Sequence, residues 1–222
     1  RKSMISVSTI FSSAFGDTDI LRIFLYVSYI TDPMSITLRP VRISDAKRFY
    51  EILNNPNFTY FGNKPASVES EEEYIRKNQE KAKKNIEHSY AIIKDGNVIG
   101  GCGIKIDTHR PHIGEIGYFV DEAYWGRGIA TKAVRILERI GFTRHNLMRI
   151  TVVMHPDNKA SEKVAIKAGY TKEGTMKKAI RSGTDLWDAH IYAKTRATGP
   201  EKPRASRKAC RSSNSARSLS QQ

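Results

Sequence analysis

Three short stretches carry residue types that could do chemistry. The first is "YWGRGIATKAV" (124–134), where Gly126 and Gly128 flank Arg127 between a strand-like run and a helix-like run. Glycines at such a turn let the backbone come close to an anion, and the helix start offers N–H groups that no carbonyl has claimed. The second is "GEIGYFV" (114–120), in which Glu115 is a carboxylate on a strand and Gly117 marks a bulge or a close approach by another backbone. Glu115 reads either as a general base or as an exposed carboxylate balancing nearby Lys or Arg. The third is "NKAS" (158–161), where Asn158 suits a helix N-cap. The turn is not a dinucleotide fingerprint, because Thr131 stands where a third glycine would fall. Nor is it a P-loop, because Gly-Lys-Ser/Thr is absent.

Positioning these residues requires a particular order of elements. "SITLRPV" reads as a first strand and "SDAKRFYEILN" as a helix, with Ala46, Phe49, Tyr50 and Leu53 on one stripe and Ser44 as its cap. After the loop "NNPNFTYFGNKP" comes a polar, largely exposed helix, "SEEEYIRKNQEKAKKN", opened by a Ser70–Glu73 capping box. "HSYAIIK" and "VIGGCGIKI" form a hairpin around Asp95–Gly96–Asn97, and "HIGEIGYFV" adds a third strand. The glycine turn then leads into a helix with Ile129, Ala133, Ile136/Leu137 and Ile140 on one face. "RITVVM" follows as a buried strand, "NKASEKVAIKAG" as a helix ended by Gly169, and "LWDAHIYAKT" as the last strand. The order β-α-α-β-β-β-α-β-α-β predicts a single α/β domain over residues 34–197, with a mixed, mostly antiparallel sheet flanked by helices.

"IGYFVDEAYWGRGIATKAV" followed by "MHPDNKASEKVAIKAGYTKEGTM" resembles the GNAT acetyltransferase superfamily, and within it the branch of ribosomal-protein N-terminal acetyltransferases. The likeness spans about residues 34–196. Gly128 and Ala130 match the family's turn pattern, with Trp125 in its Gln/Arg place. The resemblance implies acetyl-CoA as co-substrate, with its pyrophosphate on the amides of Arg127, Gly128, Ile129, Ala130 and Thr131. It also implies a pantetheine arm in a gap beside "GEIGYFV", bonded to main chain near Phe119 and Val120 and to the side chain of Asn158. Ser161 then faces the thioester sulfur as the acid for the leaving thiolate, and Glu115 takes the amine's proton. Two departures stand out. Ala165 occupies the place where similar enzymes carry a tyrosine acid, and Ile180 occupies the place of a downstream glutamate, which shifts weight to Glu115.

Composition narrows the alternatives. The 222 residues carry a net charge of +14. Residues 1–33 balance three basic against three acidic residues, 34–197 hold 28 against 19, and 198–222 hold six against one. Such a body suits a polyanionic partner, so a nucleic-acid or ribosome-binding module is the alternative from another class. No recognition motif for nucleic acid appears, and that reading is not favoured. Residues 1–33 read as an extension; their "ILRIFLYVSYI" is too short to span a bilayer and contains Arg22, so no membrane partner is expected. Residues 198–222 read as a basic disordered tail. Cys102 and Cys210 form no disulfide framework, which fits a reducing cytoplasm, and Cys102 reads as a small core residue. The six histidines lack metal-ligand spacing, so no metal is expected. The acceptor-side loop 54–67 has no Asp or Glu, unlike the carboxylate-lined mouth a polyamine or aminoglycoside enzyme would need. An acceptor with one amine on a neutral or acidic body, such as a protein N-terminus, suits it better.

Overall fold

The computed structural model describes residues 35–61, 64–182 and 184–197. The extension expected at 1–33 and the tail expected at 198–222 lie outside the described residues. Seven strands form one sheet: β1 (Thr37–Pro40), β2 (Glu87–Lys94), β3 (Asn97–Ile106), β4 (Ile113–Val120), β5 (Arg149–Met154), β6 (Thr171–Ser182) and β7 (Asp185–Thr195). Their order across the sheet is β1-β2-β3-β4-β5-β7-β6. Every neighbouring pair is antiparallel except β4 and β5. The β2–β3 hairpin turns on Asp95 (φ 48°) and Gly96 (φ 78°), the two positive φ values that a tight two-residue hairpin of this hand demands.

Four α-helices cover the sheet: α1 (Ala46–Leu53), α2 (Val68–Lys83), α3 (Ile129–Arg144) and α4 (Lys159–Ala168). Period-2 alternation assigns the strand residues to two cores. Tyr90, Ile92, Ile116, Val120, Ile150 and Val152 pack with Ile129, Val134 and Leu137 of α3 on one face. Ala91 meets Ala46, Phe49 and Ile75 of α1 and α2 on the other, with Phe119 packed alongside. The result is a three-layer α/β/α domain.

Three local features differ from the sequence reading. Asp45, not Ser44, organises the entry to α1: it is buried, accepts from both guanidinium nitrogens of Arg39 at 2.7 Å, and accepts from the Arg42 amide at 2.8 Å. The capping box of α2 lies one residue before the helix, at Ser67, whose Oγ accepts from the Ser70 amide at 3.2 Å while Ser70 Oγ accepts from the Ser67 amide at 3.0 Å. Starting the helix there turns Glu71, Ile75 and Asn78 inward. β6 is an added strand at the sheet edge. Its "TKEGTMKKAIRS" has almost no apolar alternation, and two register shifts break its pairing with β7. Lys178 sits there at φ 52° with its amide on Asp188 Oδ1.

Burial alone would raise the Asp45 pKa, but the Arg39 bonds, the Arg42 amide and their charges together hold it below its ordinary value. A depressed native pKa gives stability that is present above the unfolded value near ~3.9 and is lost as pH falls through the native one. Asp45→Ala is expected to cost about 3 kcal/mol in urea unfolding at pH 7, because it leaves Arg39 and the Arg42 amide without their acceptor. That deficit should begin to shrink below about pH 4, where the carboxylate of the unfolded chain protonates, and should be gone only once pH falls through the lower native pKa.

Candidate active site

The glycine turn is built from the end of β4 onward. Asp121 closes β4 with its amide on the Ile99 carbonyl and its carboxylate on Arg48 of α1. A 3-10 turn, Glu122–Tyr124, follows, and Trp125 folds back so that Nε1 donates to the Val120 carbonyl at 2.6 Å. Gly126 (φ 73°) and Gly128 (φ 74°) both adopt left-handed backbone that side-chain-bearing residues rarely occupy. Gly128 is the N-cap of α3, and no acidic residue stands in that helix's first turn. The amides of Ile129, Ala130 and Thr131 have no carbonyl one turn earlier, so they present N–H groups and the positive end of the helix dipole. Ile129 is buried in the core and fixes this end. Arg127 lies over the Tyr124 ring, 5.6 Å from its centroid.

Beside this turn the sheet splits. β4 and β5 pair only at Ile113–Arg149, Gly114–Ile150 and Glu115–Thr151. Beyond those rows β4 stays on β3 as far as Val120, while β5 stays on β7 as far as Met154. The expected gap beside "GEIGYFV" is therefore present, and Phe119 and Val120 lie along it. The N-terminus of α4 faces the same region. Asn158 caps that helix as expected, its Oδ1 accepting from the Ser161 amide at 3.0 Å. Tyr118 reaches across from β4, its hydroxyl donating to the Ser161 carbonyl at 3.5 Å. Burial pushes the Tyr118 hydroxyl up to about 12, with the Ser161 contact opposing, so it stays protonated at neutral pH. Sequence reasoning did not select Tyr118. Its signal was alternation: it shares a strand face with Ile116 and Val120, opposite Glu115.

On the other sheet face a cleft of about 770 Å³ opens between α1, α2, strands β2–β4 and the β6–β7 hairpin. Glu115 lines it, open to solvent yet set among enough protein that desolvation raises its pKa, with Lys105 acting the other way. Glu71 of α2 lines it too, buried at 6% exposure, its pKa raised by that burial. Sequence reasoning did not select Glu71. Ile180 also faces the cleft, so the downstream position presents no carboxylate there. Gly117 leaves the cleft floor open, since a Cβ built on it would meet nothing within 4 Å. The loop at 54–61 leans over the turn: Asn55 and Asn57 amides donate to Glu122 at 2.5 and 2.7 Å, and Phe58 packs edge-on to Trp125. Tyr60 stacks on His155, which meets Trp187 edge-on.

Cys102 is buried and free, and burial pushes its thiol pKa up, which suits a core residue and not a thiolate nucleophile. Among the described residues no group of three or more His, Cys, Asp or Glu could hold a metal ion, and no helix is long and apolar enough to cross a membrane.

A split parallel pair, a left-handed glycine cap and an α4 cap beside the split agree with a family match over residues 35–171, whose description is acetyltransferase (GNAT) domain. This chain belongs to the GNAT family. It is 31% identical to the probable N-acetyltransferase YjcK of Bacillus subtilis, over 70% of this chain and 91% of that protein. It is 26% identical to the ribosomal-protein-serine acetyltransferase of Escherichia coli (72% and 92% covered) and 24% identical to the spermidine N(1)-acetyltransferase of the same organism (64% and 76%). Among solved structures, RimJ of Mycobacterium smegmatis in complex with CoA-disulfide superposes with a TM-score of 0.68 at 25% identity, covering 73% of this chain and 83% of that one. The enzyme is an acetyl-CoA-dependent N-acetyltransferase of the GNAT type. Its α3 terminus fits a pyrophosphate, since it offers unpaired amides, no competing carboxylate and open space at Gly126.

Gly128→Val would force a β-branched residue into left-handed backbone at that cap. It is expected to weaken CoA binding at least tenfold by calorimetry, about 1.4 kcal/mol, in a protein that still unfolds cooperatively.

Proposed function

We propose that this GNAT enzyme acetylates the N-terminal amine of a peptide or protein, a ribosomal protein being one candidate, by direct attack on acetyl-CoA. The observation that carries the reading is the layout of charge around the cleft. Lys64, Lys105 and Arg181 line it as exposed cations, Glu87 is paired with Lys81, and Glu71 is buried. An acceptor with one amine leading and a neutral or acidic body trailing meets attraction at both ends of such a cleft. A polycation meets three cations at the surface. The Glu71 and Glu115 carboxylates favour a second reading, a small polyamine acceptor, and the assay below separates the two.

In the proposed reaction Glu115, directly or through a water, takes a proton from the ammonium. The freed nitrogen attacks the thioester carbonyl, the C–N bond forms and the C–S bond breaks. The thiolate takes a proton from the Ser161 hydroxyl, the former amine nitrogen sheds its extra proton to restore that hydroxyl as the neutral amide forms, and Tyr118 holds the Ser161 main chain in place. An α-amine of pKa near ~8 asks less of a carboxylate base than a lysine amine near ~10.4. The pyrophosphate rests on the amides of Arg127, Gly128, Ile129, Ala130 and Thr131. The pantetheine arm follows main chain at Phe119 and Val120 and the Asn158 side chain. The Val120 carbonyl and Asn158 Oδ1 already accept bonds, which leaves donors such as Asn158 Nδ2 for that arm.

Short peptides with a free Ser or Ala N-terminus should show higher kcat/KM than spermidine, and N-terminal blocking should abolish turnover even when lysine is present. Faster turnover of spermidine would overturn the peptide reading and leave the acetyltransferase assignment standing. For Glu115, burial has moved the pKa above the ordinary carboxylate value, and the carboxylate must be ionised to act, so kcat/KM should fall as pH drops through that raised pKa. Glu115→Gln should lower kcat about 100-fold and flatten that acid limb while leaving CoA affinity intact.

A further inference from the structure

The cleft runs deeper than the reaction requires. Its floor is a cross-strand row in which Gly117 of β4 lies opposite Gly103 of β3, and Gly103 opposite Ser89 of β2. With two glycines in three positions, the row is a channel that is open at Gly117, where a Cβ would meet nothing within 4 Å, and narrow at Gly103, where one would meet the His88 carbonyl at 3.1 Å and Ser89 Oγ at 3.5 Å. It leads from the open face at Gly117 to a point beneath α2, two strand spacings or about 10 Å away. Above it, Glu71 and Asn78 stand on either side of Ile75 along the inner face of α2.

The inner end of this channel is chemically one-sided. Asn78 is 4% exposed; its Nδ2 donates to Ser89 Oγ at 3.2 Å, while its Oδ1 is buried with no partner among the described residues. Glu71, 6% exposed, faces the same cleft with no ion pair or side-chain hydrogen bond among the described residues. A buried acceptor left without a donor is costly, so Asn78 Oδ1 calls for a donor from whatever occupies the channel, and the Glu71 carboxylate, which still reaches solvent, offers a second acceptor along its wall.

We infer that the channel beneath α2 is a subsite for the side chain of the acceptor's first residue, with Asn78 Oδ1 and the Glu71 carboxylate selecting a side chain that ends in an N–H donor. This rests on the peptide reading above. With the α-amine at Gly117, a hydroxyl on a one-carbon arm stops short of α2. An amide or guanidinium on a longer arm crosses the Gly103 floor and reaches it. Glu71 acts in specificity and is distinct from Glu115, which acts on the reacting proton.

The test uses peptides of one sequence that differ only at the first residue, in pairs of matched length: Gln against Met, and Arg against norleucine. Acetylation is read by thiol release and KM. The expected result is a KM at least tenfold lower for Gln and for Arg than for their apolar partners. Asn78→Leu should erase the Gln preference and Glu71→Gln should weaken the Arg preference, both with unchanged KM for acetyl-CoA. If Asn78→Leu does not fold, Asn78→Asp carries the same arm of the test, and should shift preference from Gln toward Arg. Equal KM within the wild-type pairs, or preferences that survive in both variants, would overturn this inference alone. Turnover of spermidine with every peptide inert would overturn the peptide reading, and this inference with it.

Discussion

The early parting of β4 and β5 is the constraint on which the rest of the site depends. Parallel strands normally pair along their length, yet here pairing ends after Glu115–Thr151. Each strand is held instead by its outer neighbour, β4 by β3 and β5 by β7, so the split does not unravel the sheet. The main chain of β4 beyond Glu115 keeps hydrogen-bonding groups on the split side, and such groups inside a protein must find partners. A linear arm bearing amides is a good partner for a strand edge of this kind, and the family's co-substrate carries one. The elements around the split reinforce it: Tyr118 bridges to the α4 terminus, and Trp125 ties the exit turn back to Val120.

The sheet also separates charges that would otherwise neutralise each other. The α3 terminus, with two left-handed glycines and no carboxylate in its first turn, is set up for an anion. Glu71 and Glu115 lie in the cleft on the opposite face, set up for a cation. Gly117 lies in the same cleft beside Glu115 and adds no side chain to its floor. Period-2 alternation produces this arrangement without further design. Glu115, Gly117 and Phe119 point one way, and Ile116, Tyr118 and Val120 point the other.

Much of this was legible in the residues. The hairpin, the glycine turn, the α3 stripe and the Asn158 cap each follow from local chemistry, and local chemistry determined them. What escaped depended on partners distant in sequence. β6 has the composition of a loop and exists as a strand because β7 supplies its pairing; its register shifts scatter what alternation it has. Its lysines also guard an exposed sheet edge, where charge discourages pairing with another chain. Glu71 escaped for a different reason. A carboxylate near a helix start reads as a dipole partner, and only the docking of α2 reveals that this one points inward.

That docking explains why Glu71 and Asn78 stay buried at a cost. With the box at Ser67–Ser70, the residues at the i, i+4 and i+7 positions of the inner face are Glu71, Ile75 and Asn78. Ile75 is 2% exposed and packs with Ala46, Phe49 and Ala91. Rotating α2 to free its two polar residues would expose Ile75 and open a cavity beneath α1, at a cost of about 2–5 kcal/mol if that contact were lost outright. The helix is thus held by its apolar centre, which keeps the polar residues on either side facing the cleft. A fold under selection for stability alone would place apolar side chains at 71 and 78, where burial favours them. Acceptors kept there against that preference, beside a channel floored by glycine, are where local consistency yields to function.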